Sequence, residues 1–179
     1  MQVILTEHPE TRDWQEVKRR AWLTIGKTPV IADPGDDWKY RILNARHSPI
    51  RYLRFSFDLI DIPYFVSVHL CRHVHAQPYV RSQRNDRQKI YDRNAARQDA
   101  PVNMIWDLNA EELMVIANKR LCTQASKETR DIVKMMCDEV VKANPEFKDF
   151  LVPACEYNGN VCHEFYSCWR AEKRKENDA

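Results

Sequence analysis

Arg72-His73-Val74-His75-Ala76-Gln77-Pro78-Tyr79-Val80-Arg81-Ser82-Gln83-Arg84 is the most informative run in this 179-residue chain. It sits inside a longer basic stretch that carries His69, Arg72, His73, His75, Arg81, Arg84, Arg87, Lys89, Arg93 and Arg97, opposed only by Asp86 and Asp92. Arginine grips phosphate and carboxylate with two parallel hydrogen bonds, so such a cluster suits an anionic ligand. A solvated basic helix is the other reading open to composition. The chain has only 3 glycines, and neither G-x-G-x-x-G nor G-x-x-x-x-G-K occurs. A phosphate held here must therefore rest on side chains and helix ends rather than on a glycine loop.

Outward from this run the elements are punctuated clearly. Tyr52 to Leu59 alternates, with Leu53, Phe55, Phe57 and Leu59 on one side, and predicts a half-buried strand. Pro63 suits the first turn of a helix running to about Arg72, and Pro78 precedes a predicted second helix over 82–96. Further upstream, 2–6 reads as a short strand and 11–25 as a helix that Thr11 could cap. The stretch 28–38, with Pro29, Pro34 and Gly35, reads as a loop. Downstream, 102–106 predicts a strand, and Asn109 with Glu112 three residues later forms a capping-box-like helix start. Arg120 falls on the apolar face of that helix, where a charge must snorkel or meet a partner. A last long helix over 126–143 buries Ile132, Val133, Met136, Val140 and Val141.

Strands and helices intermingle without βαβ alternation, which predicts an α+β fold: one domain over 1–170, its mixed or antiparallel sheet packed by helices, with a charged tail at 171–179. The composition, 44% apolar and 30% charged with net charge +2, is that of an ordinary soluble domain. No stretch approaches membrane-spanning length, and the N-terminal apolar run is too short for a signal peptide. Six cysteines are then expected as reduced thiols in a cytoplasmic protein.

The opening run resembles the signature of flavin-dependent thymidylate synthases: Arg-His-Arg, seven residues, Ser, one residue, Arg. Arg72, His73, Ser82 and Arg84 stand at the right offsets. The surroundings agree in order along most of the chain. Phe55-Ser56-Phe57 and Pro63 precede the run. Arg97 with Pro101, Asn109-Ala110, and Arg120 with Ala125, Glu128 and Arg130 follow it. The resemblance implies a homotetramer that reductively methylates dUMP to dTMP, taking carbon from methylenetetrahydrofolate and hydride from FAD reduced by NADPH, with no cysteine nucleophile. It assigns substrate binding to Arg72, Ser82, Arg84, Arg97 and Arg120, with Arg97 reaching in from another subunit. Arg120 and Ser82 take the catalytic roles, and Arg120 would stabilise charge developing on the uracil. Arg72, His73 and Asn109 would contact FAD.

The flavin side departs from the family pattern. Val74 replaces the signature's third residue, a flavin-phosphate ligand, and Val80 replaces a glutamate. Arg51-Tyr52 occupies the place of a Glu-His pair, and Glu111 and Val115 stand where an arginine and an asparagine face FAD. The segment between Arg84 and Arg97 is short for the family. These losses motivate an alternative: a pyrimidine-nucleotide-binding relative with altered C5 chemistry or none. A second alternative, an RNA- or DNA-binding protein, has only Tyr79 and Tyr91 as stacking partners within the basic stretch. Cys155, Cys162, His163 and Cys168 are zinc candidates without a C-x-x-C knuckle, and reduced unbound thiols are the competing reading. His47, His69 and His75 could move protons, His69 standing best placed one turn before Arg72.

Overall fold

The computed structural model describes residues 1–87 and 92–168. Four strands, β1 (Gln2–Glu7), β2 (Arg54–Pro63), β3 (Gln77–Val80) and β4 (Pro101–Asn109), form one sheet in the order β1-β2-β4-β3, every pair antiparallel. The predicted α+β class is what the chain adopts. Alternation sets the sheet's two faces. Phe55, Phe57 and Leu59 of β2 lie opposite Leu108, Trp106 and Met104 of β4, and all six are buried. The intervening Arg54, Ser56 and Asp58 face outward. Burying each large side chain contributes about 1.5–3 kcal/mol relative to exposure.

The helices cover the apolar face. They are α1 (Thr11–Thr24), α2 (Asp36–Asn44), α3 (Tyr64–Leu70), α4 (Ala110–Arg120), α5 (Lys127–Ala143) and the short α6 (Ala154–Tyr157), with 3-10 turns at Ser48–Tyr52 and Pro145–Phe147. Amphipathic α5 lays Ile132, Val133, Met136 and Val140 against β1, β2 and α4. Ser126 caps it by accepting a hydrogen bond from the Thr129 amide. None of the helices among the described residues is long and apolar enough to cross a membrane.

Several boundaries differ from the sequence expectation. Glu10, not Thr11, is the N-cap of α1, its amide donating to Asp13 Oδ2 at 2.9 Å. The expected loop over 28–38 ends early, because Asp36 and Asp37 open α2, where carboxylates complement the N-terminal dipole. Tyr52 belongs to the 3-10 turn, and strand β2 begins at Arg54. The helix predicted over 82–96 is absent from its described part, where 81–87 and 92–96 form only turns and irregular chain. Its described part holds no apolar stripe to bury, so nothing stabilises a helix in those residues. Instead the chain before it forms edge strand β3, in which Pro78 costs little because it lacks an outer neighbour. Gln88–Tyr91 and the predicted tail at 171–179 lie outside the described residues.

Candidate functional site

The site forms where α3 ends and α4 ends. Leu70 closes α3 in the core, and the turn that follows presents Arg72 and His73. α4 starts directly from β4: Asn109, the last strand residue, accepts the Glu112 amide at 3.0 Å through Oδ1, as the capping pattern predicts. Glu112 and Arg120 are thereby fixed on one rigid helix.

His73 joins the two. Arg120 Nε donates to His73 Nε2 at 2.9 Å, while His73 Nδ1 lies 3.3 Å from Glu112 Oε1. An arginine nitrogen can only donate, so Nε2 accepts and the imidazole proton sits on Nδ1, directed at the carboxylate. Burial, reinforced by Arg120 and then Arg72, pushes the His73 pKa down to about 4, so the ring is neutral at pH 7. Burial also raises the Glu112 pKa, and Glu111 adds to this. Arg120 donates once more, from Nη2 to the His69 carbonyl at 3.2 Å. Two of its three nitrogens are thus engaged, and Nη1 is the one a ligand oxygen would meet.

Arg120 answers the question its position raised: it is half-buried and has polar partners, but they are neutral. Burial lowers its pKa, and Arg72 lowers it further, so the two cations stand close enough to repel. Among the described residues neither has a carboxylate within ion-pair distance. The half-buried Arg120 and the exposed Arg72 together present positive charge suited to an anion.

The other candidates are placed differently. Arg84 pairs with Asp86 and Arg97 with Asp99, each a local, exposed pair. Ser82 Oγ accepts the Arg84 amide at 3.4 Å. The ion-pair partners of Arg84 and Arg97 are thus their own near neighbours in sequence. Asn109 uses its side-chain oxygen to cap α4. His69 Nδ1 is 3.1 Å from Thr129 Oγ1 and its ring edge meets Phe65, so it joins α3 to α5. His47 and His75 are exposed. Arg130 braces the loop after α4, donating to the carbonyls of Thr123 and Ala125.

Glu112 is the site member that sequence reasoning missed. Its role as a capping partner hid it, although its spacing, eight residues before Arg120, places both on the same side of α4. Two departures from the family pattern also prove to be coupled. Arg51 and Glu111 form an ion pair with each other. The charges are reversed relative to the expected glutamate and arginine, but they remain opposite. Val74, by contrast, is 82% exposed and offers no donor.

The zinc candidates Cys155, Cys162, His163 and Cys168 do line one cavity, of about 400 Å³, and Cys122 lines it too. As placed, no three His, Cys, Asp or Glu side chains among the described residues are grouped to hold a metal ion.

Residues 92–146 match the family model described as thymidylate synthase complementing protein. That segment contains Arg97, Asn109, Glu112 and Arg120, whereas Arg72, Ser82 and Arg84 precede it. Two structures of thymidylate synthase X from Helicobacter pylori, each described with FAD and dUMP, share this fold. Their TM-scores are 0.68 and 0.67, at 17% identity, covering 84% of this chain and 99% of theirs. A search of curated proteins gave no sequence match.

Proposed function

We infer that this chain, a member of the flavin-dependent thymidylate synthase family by its matched segment and its fold, reductively methylates dUMP to dTMP. In this reading it acts as a cytoplasmic homotetramer, with methylenetetrahydrofolate as carbon donor. FAD, reduced by NADPH, supplies the hydride when bound.

The observation that carries the reading is the Arg72–Arg120 pair. Arg120 is held beside a neutral histidine, the exposed Arg72 stands close enough to repel it, and among the described residues neither pairs with a carboxylate. A dianionic nucleotide relieves their mutual repulsion. Arg120, oriented through Nε and Nη2, would direct Nη1 at a uracil oxygen and stabilise negative charge as the ring is attacked. Neutral His73 can orient Arg120 without competing for the substrate's charge. Ser82 and Arg84 would hold phosphate and base, with Arg97 contributed by another subunit.

The residues fit the flavin in part. Arg72, the Asn109 amide and the edge of His73 would hold it. Val74 adds no donor, and the Glu111 carboxylate is committed to Arg51.

An absorption spectrum of the purified protein with FAD, repeated after adding dUMP, tests this reading. A flavin band perturbed by the nucleotide, with dTMP formed once folate and NADPH are supplied, is expected. Nucleotide binding by a protein that ignores FAD would overturn the redox chemistry and leave the pyrimidine-binding alternative. Steeply salt-dependent binding to a polynucleotide, with no affinity for dUMP, would overturn both.

A further inference from the structure

The cavity distant in role from the nucleotide site carries its own chemistry. Cys122 lies two residues beyond the end of α4, Cys155 is in α6, and Cys162 and Cys168 lie on the segment that follows. All four line the same cavity of about 400 Å³, with Arg46, Lys119 and His163 at its walls. The other three thiols lie within electrostatic reach of Cys155, and no disulfide joins any of them.

The path of the chain produces this convergence. Gly159 and Asn160 both take left-handed backbone angles, φ 65° and 67°, which turns the chain back after α6. Asparagine adopts that conformation more readily than other non-glycine residues, and two left-handed residues in succession turn the segment back toward the end of α4. Tyr157 packs against Phe150 and Arg46, and Lys119 pairs with Glu164, but beyond these contacts the segment is lightly packed. Leu151 and Pro153 are buried, but no residue of 154–168 is. A segment that buries so little apolar surface needs another source of order.

We propose that Cys122, Cys155, Cys162 and Cys168 bind one zinc ion as four thiolates, fastening segment 154–168 to the end of α4. An all-sulfur tetrahedral set is a structural zinc site, with Zn–S distances of about 2.3 Å. As placed, the side chains are not gathered to that degree. Ligation draws the segment inward, which its turns and unburied side chains allow, so that metal binding and local folding are coupled. Each thiol gives its proton to solvent on ligation, and four thiolates around Zn²⁺ leave two negative charges. Arg46 and Lys119 at the cavity wall offset them. Cys122 replaces His163 in the set read from the sequence. His163 is exposed and adjacent to Cys162, and neighbouring residues reach one ion awkwardly.

The test uses the full chain, purified under reducing conditions, then dialysed with zinc and freed of excess. About one zinc per chain is expected by elemental analysis. Cobalt in place of zinc should give intense visible bands and thiolate charge-transfer absorption of a tetrahedral all-sulfur site. Cys122→Ser and Cys168→Ser should each lower the retained zinc at least tenfold, and His163→Ala should leave it unchanged. Zinc absent from the unmodified protein, iron with sulfide in its place, or disulfides among the four cysteines would overturn the proposal. So would zinc loss in His163→Ala, or full retention in Cys122→Ser. If Cys122→Ser does not fold, the cobalt spectrum of the unmodified chain decides, because a mixed nitrogen and sulfur set would refute the four-thiolate site.

Discussion

Arg120 sits on the apolar side of α4, and its cost there is met by two neutral acceptors rather than by an opposing charge. A half-buried cation with no counter-ion among the described residues is a poor device for stability and a good one for recognising an anion. Arg120→Ala should therefore weaken dUMP binding about 10- to 100-fold, the loss of one charge-assisted hydrogen bond. Titration calorimetry reads this, and thermal unfolding should shift little. A large fall in melting temperature with unchanged affinity would make Arg120 structural instead. His73 gives the matching pH prediction. Its folded pKa of about 4 lies below the ordinary 6.5, so the unfolded chain takes up the proton first. The stability that goes with the neutral ring is complete above about pH 6.5 and is lost progressively as pH falls toward 4. In Arg120→Ala the His73 pKa should rise, though only in part, because burial is the larger cause and remains. An NMR titration of the imidazole that found no rise would break the proposed Arg120–His73 coupling. At this scale the sequence revealed Arg120 by its conflict with the apolar stripe. Glu112 stayed hidden, since capping patterns do not disclose which carboxylates become buried.

The element that gathers the site is α4, and its start is what a sequence shows best. Asn109 caps it through a local hydrogen bond that needs no tertiary information. Asn109→Ala should cost about 1 kcal/mol, lowering the melting temperature by roughly 2–4 °C for a chain of this size. It should also blur the Glu112–His73–Arg120 alignment, so dUMP affinity falls together with stability. An unchanged melting temperature in calorimetry would show that packing alone holds the helix. Strand β2 and helix α5 were equally legible, because period-2 and period-3.6 apolar patterns bury one face each. β3 was not. Gln77-Pro78-Tyr79-Val80 has only four residues and a proline, and it becomes a strand because β4 offers an open edge. The basic run misled in the opposite direction: charge without an apolar stripe looked like a helix and had nothing to pack. The Arg51–Glu111 pair shows a related limit. Each departure alone looked like a lost flavin contact, and only the fold shows that they meet.

At the scale of the whole molecule, the candidate arginines divide into two groups. Arg72 and Arg120 share one site, while Arg97 is exposed and tied to Asp99, apart from that site's contacts. A spacing pattern cannot say which chain a residue serves, so Arg97's assignment to the nucleotide was legible only through the resemblance. In the proposed tetramer, Arg97 meets the nucleotide of a neighbouring copy, and the complete site is a property of the assembly. Complementation distinguishes this from a site built within one chain. Arg97→Ala and Arg120→Ala proteins, each impaired alone, are unfolded together and refolded as a mixture. A site that takes Arg120 from one subunit and Arg97 from another is intact when an Arg97→Ala chain supplies the first and an Arg120→Ala chain supplies the second. Random assembly should therefore restore tight dUMP binding at roughly a quarter of the sites. If both arginines served within one chain, each protomer in the mixture would still lack one of them, and no tight sites would return. Counting tight sites by equilibrium dialysis thus decides whether a surface arginine with a local partner belongs to the active site of its neighbour.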